Sequence, residues 1–116
     1  MAGVVDLVQD LFFVAKIREA AAQLGIDVAS APDPEALQRA AAGARLVFLD
    51  LRRADAVRAL DLLAADPATA HVATIGFVDH ENLTAMDAAR AHGCGTVLTK
   101  GKFSSDLPAL LARSTS

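Results

Sequence analysis

The sequence lacks most of the side chains that build disulfides, metal clusters and stacking surfaces. Its 116 residues include a single cysteine, no tryptophan and no tyrosine. Because Cys94 is alone, an internal disulfide and a multi-cysteine metal site are excluded. Stacking on bases would rest on five phenylalanines. The net charge of −3 offers no basic footprint either, so we expect no nucleic-acid partner.

Long apolar runs are also missing. Asp6, Gln9 and Asp10 interrupt the first apolar stretch well short of a membrane span, so no membrane contact is expected. No basic segment precedes that stretch, which argues against a secretory signal and favours a cytoplasmic protein. Hydrophobic residues still make up 53% of the chain and charged residues 22%, which is ordinary for a globular α/β protein. We expect one domain over residues 1–116.

Strand-like and helix-like segments alternate along the chain. Short apolar runs predict five strands, at residues 4–8, 26–31, 46–49, 72–78 and 96–99. Helical spacing predicts five helices, at residues 11–24, 34–42, 54–65 and 83–91, with a last one capped by Ser104 or Ser105. Five β–α pairs with short loops predict a doubly wound (βα)5 flavodoxin-like fold, in which helices cover both faces of a parallel sheet.

Charged residues follow the ends of several predicted strands. In a doubly wound sheet the reactive crevice lies beyond the carboxyl ends of the strands, where the strand order reverses. Asp10, Asp50 and Lys100 reach that edge. An aspartate there can attack a phosphoryl donor, and a facing lysine can neutralise the product phosphate. A divalent cation would want several carboxylates, of which the chain offers Asp50 and Asp10; Asp10 is equally well placed to cap the helix that begins at Leu11.

Three stretches carry a family resemblance. They read LVFLDL at residues 46–51, AARAHGCG at 88–95 and VLTK at 97–100. With the (βα)5 order, they resemble the receiver domain of two-component response regulators over essentially the whole chain. The resemblance implies a phosphorelay signalling domain that is not an enzyme, with Asp50 at the phosphoacceptor position, Lys100 contacting phosphate and Asp10 as a metal ligand. It also implies a signalling protein as partner, a histidine kinase as phosphoryl source, and Mg²⁺ where phosphorylation is retained.

Several positions depart from the receiver pattern. The resemblance calls for an acidic pair after the first strand, a hydroxyl residue ending the fourth, an aromatic residue in the fifth and a proline after the lysine. The corresponding residues are Val8 and Gln9 (or Gln9 and Asp10 with a shorter loop), Val78, Val97 and Gly101. We therefore expect a pseudo-receiver that keeps Asp50 but has a degraded metal site and switch. Arg52 or Arg53 could pair with Asp50 and hold an active-like state, or both could be solvated loop residues.

The resemblance also places the partner surface on the fourth helix, fifth strand and fifth helix. The candidates there are Met86, Arg90, Val97 and Lys102. A homodimer is left open. The first alternative is a conventional Mg²⁺-dependent, phospho-accepting response regulator. The second is a small flavodoxin-like enzyme or ligand-binding domain that uses Asp50 and Lys100 as an acid/base pair.

Overall fold

A single parallel sheet forms the centre of the protein. The structure, a computed structural model, describes residues 2–113. The strands are β1 Val4–Leu7, β2 Val28–Ser30, β3 Leu46–Asp50, β4 Ala73–Val78 and β5 Thr96–Thr99. Their order is β2-β1-β3-β4-β5, and every neighbouring pair is parallel. The order therefore reverses between β1 and β3, which places a crevice above the carboxyl ends of those two strands.

Five helices cover the two faces of the sheet. They are α1 Leu11–Leu24, α2 Pro34–Ala41, α3 Ala56–Ala65, α4 Leu83–Ala91 and α5 Lys100–Arg113. One buried cluster packs α1 and α5 on the sheet, and the other packs α2, α3 and α4 on the opposite face. The predicted doubly wound α/β fold is confirmed, and nine of the ten predicted elements begin within two residues of their observed starts.

The start of α5 differs from the prediction. The helix begins at Lys100, directly after β5, so a cap at Ser104 or Ser105 is wrong. Thr99 takes that position instead, because its Oγ1 accepts a hydrogen bond from the Lys102 N–H at 3.2 Å. Pro108 consequently lies inside the helix rather than in its first turn. The misplaced boundary follows from reading proline as a first-turn residue, which is its commonest helical position.

Phenylalanine rings dominate the core under α1 and α5. Phe77 stacks on Phe103 with centroids 4.3 Å apart, and Phe13 lies 4.6 Å from Phe77. Phe48 meets Phe103 edge-on at 5.1 Å. Such ring pairs contribute about 0.5–1.5 kcal/mol beyond the burial of their area. This cluster fixes Phe13 and Phe77 near the carboxyl edge of the sheet, where they form a rigid apolar platform.

One carboxylate lies inside the sheet. Asp6, in β1, is fully buried, and its Oδ1 has no hydrogen-bond partner. Its Oδ2 accepts from the Ser30 hydroxyl at 3.0 Å, and Arg18 donates to that hydroxyl at 3.1 Å. Burial raises the pKa of Asp6 above 3.8, and the hydrogen bond from Ser30 offsets this only in part. The ionised form is therefore disfavoured in the folded protein.

Leu51, the residue directly after β3, is held in close contact with β4. Leu51 N–H donates to Phe77 O at 2.9 Å, and the Leu51 side chain lies over Gly76 of β4. A Cβ added at Gly76 would come within 2.6 Å of the Leu51 side chain. The missing side chain at Gly76 thus makes room for Leu51, the residue between Asp50 and Arg52.

The longest of the described helices, α1 and α5, have 14 residues each. Across residues 2–113, none of them combines the length and the apolar character that crossing a bilayer requires.

We predict that Asp6→Asn stabilises the protein at neutral pH by roughly 1 kcal/mol or more, because a buried, partly unpaired carboxylate no longer has to ionise. Because the pKa of Asp6 is raised in the folded protein, the contribution of this residue to stability is complete at pH values below the pKa it has in the unfolded chain. That contribution is lost as pH rises through the pKa it has in the folded protein. The advantage of the variant should therefore grow from about pH 4 upward in urea unfolding. Asp27→Asn, at an exposed site, is the matched control. An equal pH trend in both variants would contradict the assignment.

We predict that Gly76→Ala destabilises the protein by about 1–3 kcal/mol, because the new methyl displaces the buried Leu51 side chain. The matched control is Gly101→Ala in α5, where a Cβ would meet nothing within 4 Å and φ is not positive. That change should be neutral or stabilising by up to about 1 kcal/mol. Thermal and urea unfolding measure both variants. Equal losses would show that Gly76 has no special packing role.

Candidate functional site

The carboxyl edge of the sheet brings two aspartates together. Asp50 is the last residue of β3 and is buried. Asp10 lies after β1 and directly before α1. Asp10 Oδ1 accepts from the Phe12 N–H at 2.9 Å, so the predicted N-cap role is observed. Its other oxygen, Oδ2, faces the β3–α3 loop. Neighbouring parallel strands thus place two acceptor groups on the same side of the crevice.

Arg52 joins the two carboxylates. Its Nε donates to Asp50 Oδ1 at 2.9 Å and its Nη2 to Asp50 Oδ2 at 2.7 Å, a bidentate pair. The same Nη2 donates to Asp10 Oδ2 at 3.0 Å. The backbone N–H of Arg52 adds a bond to Asp50 Oδ1 at 3.0 Å. Paired charged hydrogen bonds of this kind are about twice as strong as neutral ones.

The guanidinium also rests on the aromatic platform. Its Cζ lies 5.5 Å from the Phe13 ring centroid and 5.9 Å from that of Phe77. Cations within about 6 Å of a ring face gain roughly 0.5–2 kcal/mol, depending on how far they are desolvated. The Arg52 side chain is 29% exposed, which is low for an arginine in a loop. Carboxylates on one side and rings on the other therefore hold it in place.

The protonation equilibria reflect this arrangement. Hydrogen bonding to Asp50 raises the already high pKa of Arg52 further, and Asp10 adds to the effect. Hydrogen bonding to Arg52 lowers the pKa of Asp10 below 3.8, and the bonds from the start of α1 lower it further. Arg52 and Asp10 are consequently both charged throughout the physiological pH range.

Lys100 lies at the same edge but has another partner. Its Nζ is 2.5 Å from Asp79 Oδ1, in the loop after β4, and this contact lowers the pKa of Asp79. The expected Asp50–Lys100 pairing is thus replaced by two separate pairs, Asp50 with Arg52 and Asp79 with Lys100. Asn82 caps α4 through its bond from the Ala85 N–H.

The loops around the crevice are tied to one another. Gln9, at the expected acidic pair, donates to Pro32 O at 3.2 Å. Arg53 donates to the same carbonyl at 3.2 Å and pairs with Asp55 at 2.8 Å. Neither Arg52 nor Arg53 is therefore a purely solvated residue. Val78, at the expected hydroxyl position, is buried and apolar, and offers no hydrogen bond.

The four candidate partner residues do not share one exposed surface. Met86 is only 8% exposed and packs in the core beneath α4, so its expected surface role is corrected. Arg90 and Lys102 are exposed, and each pairs with an acid on its own helix, Asp87 or Asp106. Val97 is partly buried and packs against the core from β5. Met86 was placed on the partner surface by the family resemblance alone, which does not show that its side chain packs into the core.

The carboxylates do not fit a divalent cation well. Hard cations require several oxygen ligands, and here both Asp10 and Asp50 already bind a guanidinium. Within residues 2–113, no three His, Cys, Asp or Glu side chains converge so that they could hold a metal ion. A cation entering the crevice would therefore have to displace Arg52 and would still lack a third carboxylate.

Solved structures resemble this chain closely in fold. The phosphorylated cyanobacterial phytochrome response regulator RcpA matches with a TM-score of 0.79 and 16% identity, covering 100% of this chain and 96% of its own. The receiver domain of the sensor histidine kinase PA1611 from Pseudomonas aeruginosa PAO1, with a magnesium ion in its active-site cleft, matches with a TM-score of 0.81, 18% identity and coverages of 99% and 98%. CheY4 of Vibrio cholerae, a chemotaxis response regulator, gives 0.78, 15% and 98% of both chains.

These likenesses establish the class of fold. No family model matches the sequence, and no curated protein matches it. At identities of 15–18%, the solved structures show that the chain has the fold of response-regulator receiver domains, as the three sequence stretches predicted. They show the fold only, and they do not assign roles to the site residues of this chain.

Arg52 is the site residue that sequence reasoning identified least completely. The sequence shows that it lies two residues from Asp50, which suggested a pair. It does not show that the same guanidinium reaches Asp10, which is 42 positions away in the chain. Asp79 follows the fourth predicted strand, but the sequence does not show that Asp79 rather than Asp50 pairs with Lys100.

We predict that Arg52→Ala destabilises the protein by about 1–3 kcal/mol, because it leaves the buried Asp50 carboxylate without its charged donor. Arg52 also lowers the pKa of Asp10, so the contribution of the Asp10–Arg52 pair is present above the ordinary aspartate pKa and is lost as pH falls through the lowered pKa. Urea unfolding at several pH values measures both effects.

The matched control for that change is Arg58→Ala, which removes an exposed arginine from α3 that pairs with Glu35. Its loss should stay below about 1 kcal/mol, as for other surface ion pairs. The double variant Arg52→Ala/Asp50→Asn should recover part of the stability. Equal losses for Arg52→Ala and Arg58→Ala would contradict the role given to Arg52.

Proposed function

We propose that this chain is a receiver-like signalling module of the cytoplasm that works by binding a partner protein and does not depend on phosphorylation. It is not an enzyme. The observation that carries the proposal is the guanidinium of Arg52 between Asp50 and Asp10. The fold shared with response-regulator receivers supports the signalling role, and the altered crevice supports independence from phosphate.

Charge balance explains why phosphorylation is disfavoured at Asp50. Both of its oxygens accept hydrogen bonds from the cationic Arg52, which makes each a weaker nucleophile toward a phosphoryl donor. A phosphoryl group would add roughly −1.5 to −2 of charge beside Asp10. Two like unit charges 4 Å apart repel by about 4 kcal/mol at an effective dielectric near 20. A conventional receiver would relieve this with Mg²⁺, and this crevice holds a side-chain cation instead.

The residues that would respond to phosphorylation also differ from the receiver pattern. Lys100, the expected phosphate contact, is bound to Asp79. Val78 cannot donate a hydrogen bond to a phosphoryl oxygen, and Val97 has no ring that could change position. We therefore propose that the protein signals through a surface whose shape does not change with phosphorylation. The proposed partner face comprises α4, β5 and α5, with Arg90 and Lys102 exposed and Val97 at its base.

The partner is proposed to be another signalling protein. A histidine kinase that docks without transferring phosphate would satisfy this proposal, and so would a second copy of this chain. The alternative of a flavodoxin-like enzyme needs Asp50 and Lys100 to act on one substrate as acid and base. Their separate ion pairs with Arg52 and Asp79 do not favour that arrangement.

The test compares amide NMR spectra of the wild type with and without Mg²⁺, and then with Mg²⁺ plus a beryllium fluoride complex that mimics a phosphoryl group. We expect no shifts clustered on Asp10, Asp50 and Lys100, because Arg52 holds both carboxylates. Arg52→Ala is the matched variant, and any Mg²⁺-dependent shifts at Asp10 and Asp50 should appear only in this variant. A wild-type response that is lost in Asp50→Ala would establish a conventional receiver and overturn the proposal.

Partner capture supplies the second measurement. A protein retained by the wild type should be retained equally by Asp50→Asn and lost with Arg90→Glu/Lys102→Glu on the proposed face. Asp33→Asn, a substitution before α2 that keeps a capping side chain, controls for the loss of one charge. Loss of the partner in Asp50→Asn alone would contradict independence from the phosphoacceptor position.

A further inference from the structure

The strand β2 leaves one edge of the sheet open. It pairs with β1 on one side and stands first in the strand order β2-β1-β3-β4-β5. Along an extended strand, successive residues point their N–H and C=O groups to opposite sides. The Ala31 N–H donates to Asp6 O at 2.8 Å, so Ala29 and Ala31 face β1. The backbone groups of Val28 and Ser30 therefore point away from the sheet.

The sequence of β2 does not protect this edge. Proteins commonly guard an open edge with lysine, proline or a bulge, whereas β2 reads VAS. Its three side chains are uncharged and are either half-buried or exposed. Backbone N–H and C=O groups that point outward from such an edge form a template on which another strand can pair.

The face of α1 beside this edge is complementary to itself. Four exposed residues lie there at helical spacing: Ala15, Arg18, Glu19 and Ala22. Arg18 and Ala22 line a groove of about 360 Å³ between α1 and β2, so this face adjoins the open edge. If two copies of α1 run antiparallel about an axis midway between Arg18 and Glu19, each Arg18 meets Glu19 of the other copy. Each Ala15 then meets Ala22 of the other copy, and these small side chains permit a close approach of the helices.

The two charges on this face are available to a second copy. Across residues 2–113, Arg18 donates to the Ser30 hydroxyl at 3.1 Å and forms no salt bridge, and Glu19 forms none either. The bond to Ser30 also sets the middle of α1 level with β2. A single twofold axis, passing through Ala29 and between Arg18 and Glu19, therefore relates both elements to their copies.

We infer that the β2 edge binds a second copy of this chain in a symmetric dimer. β2 pairs antiparallel with β2 of the second copy, so that Val28 of each copy exchanges hydrogen bonds with Ser30 of the other. The α1 helices pack against each other beside this junction and form two Arg18–Glu19 ion pairs. A second copy fits this face because a twofold axis requires a surface that complements itself, and the charges and the strand edge both do so.

The dimer would make the signalling module bivalent. β2 and β5 are opposite edges of the sheet, so pairing at β2 leaves the proposed partner face of α4, β5 and α5 open in both copies. The two β5 strands would lie about 43 Å apart, at nine strand spacings of roughly 4.8 Å. A partner that is itself dimeric would then bind with avidity. This consequence rests on the proposed function, whereas the dimer itself does not.

The test combines sedimentation velocity with amide hydrogen exchange on the full chain. Sedimentation over a concentration series should show a monomer that becomes a dimer, with a dissociation constant below about 1 mM. At concentrations where the dimer predominates, the amides of Val28 and Ser30 should exchange at least roughly fivefold more slowly than in dilute protein. The amides of Ala29 and Ala31 already face β1, so they are internal controls whose exchange should change far less.

Variants test the strand pairing and the helix contact separately. Val28→Pro removes one outward N–H and keeps the bonds of Ala29 and Ala31 to β1, so it should abolish the dimer while the monomer stays folded. Glu19→Lys places a cation opposite Arg18 of the other copy and should weaken association by roughly tenfold or more. Glu81→Lys, the same charge change in the exposed loop after β4, is the matched control and should leave association unchanged.

Exchanging the two charges provides a rescue. Arg18→Glu/Glu19→Lys restores opposite charges across the axis, so it should associate more tightly than Glu19→Lys alone, and urea unfolding checks that each variant is folded. The inference is overturned if the wild type stays monomeric up to about 1 mM, if association protects neither Val28 nor Ser30, or if Glu19→Lys dimerises like the wild type. A dimer that is lost in Arg90→Glu/Lys102→Glu and kept in Glu19→Lys would also overturn it. None of these results would affect the predictions for Arg52.

Discussion

The guanidinium of Arg52 is the group on which the carboxyl edge of this protein depends. Asp10 and Asp50 are brought to that edge by the reversal of strand order between β1 and β3, and they would repel one another without a cation between them. The receiver domain of PA1611, which shares this fold, holds a magnesium ion in its active-site cleft. Here the cation is part of the chain. A single loop residue, Arg52, therefore sets the charge around both carboxylates.

The platform beneath Arg52 links the site to the core. Phe13 and Phe77 lie under the guanidinium, and both belong to the ring cluster that packs α1 and α5 on the sheet. Leu51 is fixed on the other side of the backbone by the space above Gly76. The position of the arginine is thus determined by packed, buried groups on both faces of the sheet. Such packing preorganises the site.

Much of the fold could be predicted because its signals are local. Apolar runs and helical spacing located all ten elements, and Asp10 before Leu11 correctly indicated a helix cap. The start of α5 was missed because Pro108 suggests a first turn, while the helix in fact begins at Lys100. The site was harder, because ion pairs depend on which way long side chains turn. Proximity in sequence suggested Arg52 with Asp50, but nothing local distinguished Asp79 from Asp50 as the partner of Lys100.

A tethered cation has one more consequence, which concerns the surroundings of the protein. Arg52 is two residues from Asp50, so its guanidinium is present at the carboxylate at an effective concentration in the millimolar range or above, whatever the solution contains. A dissolved ion would occupy the same place only in proportion to its own concentration. The cation at this edge is therefore supplied by the chain itself, so its presence does not depend on the ions dissolved around the protein.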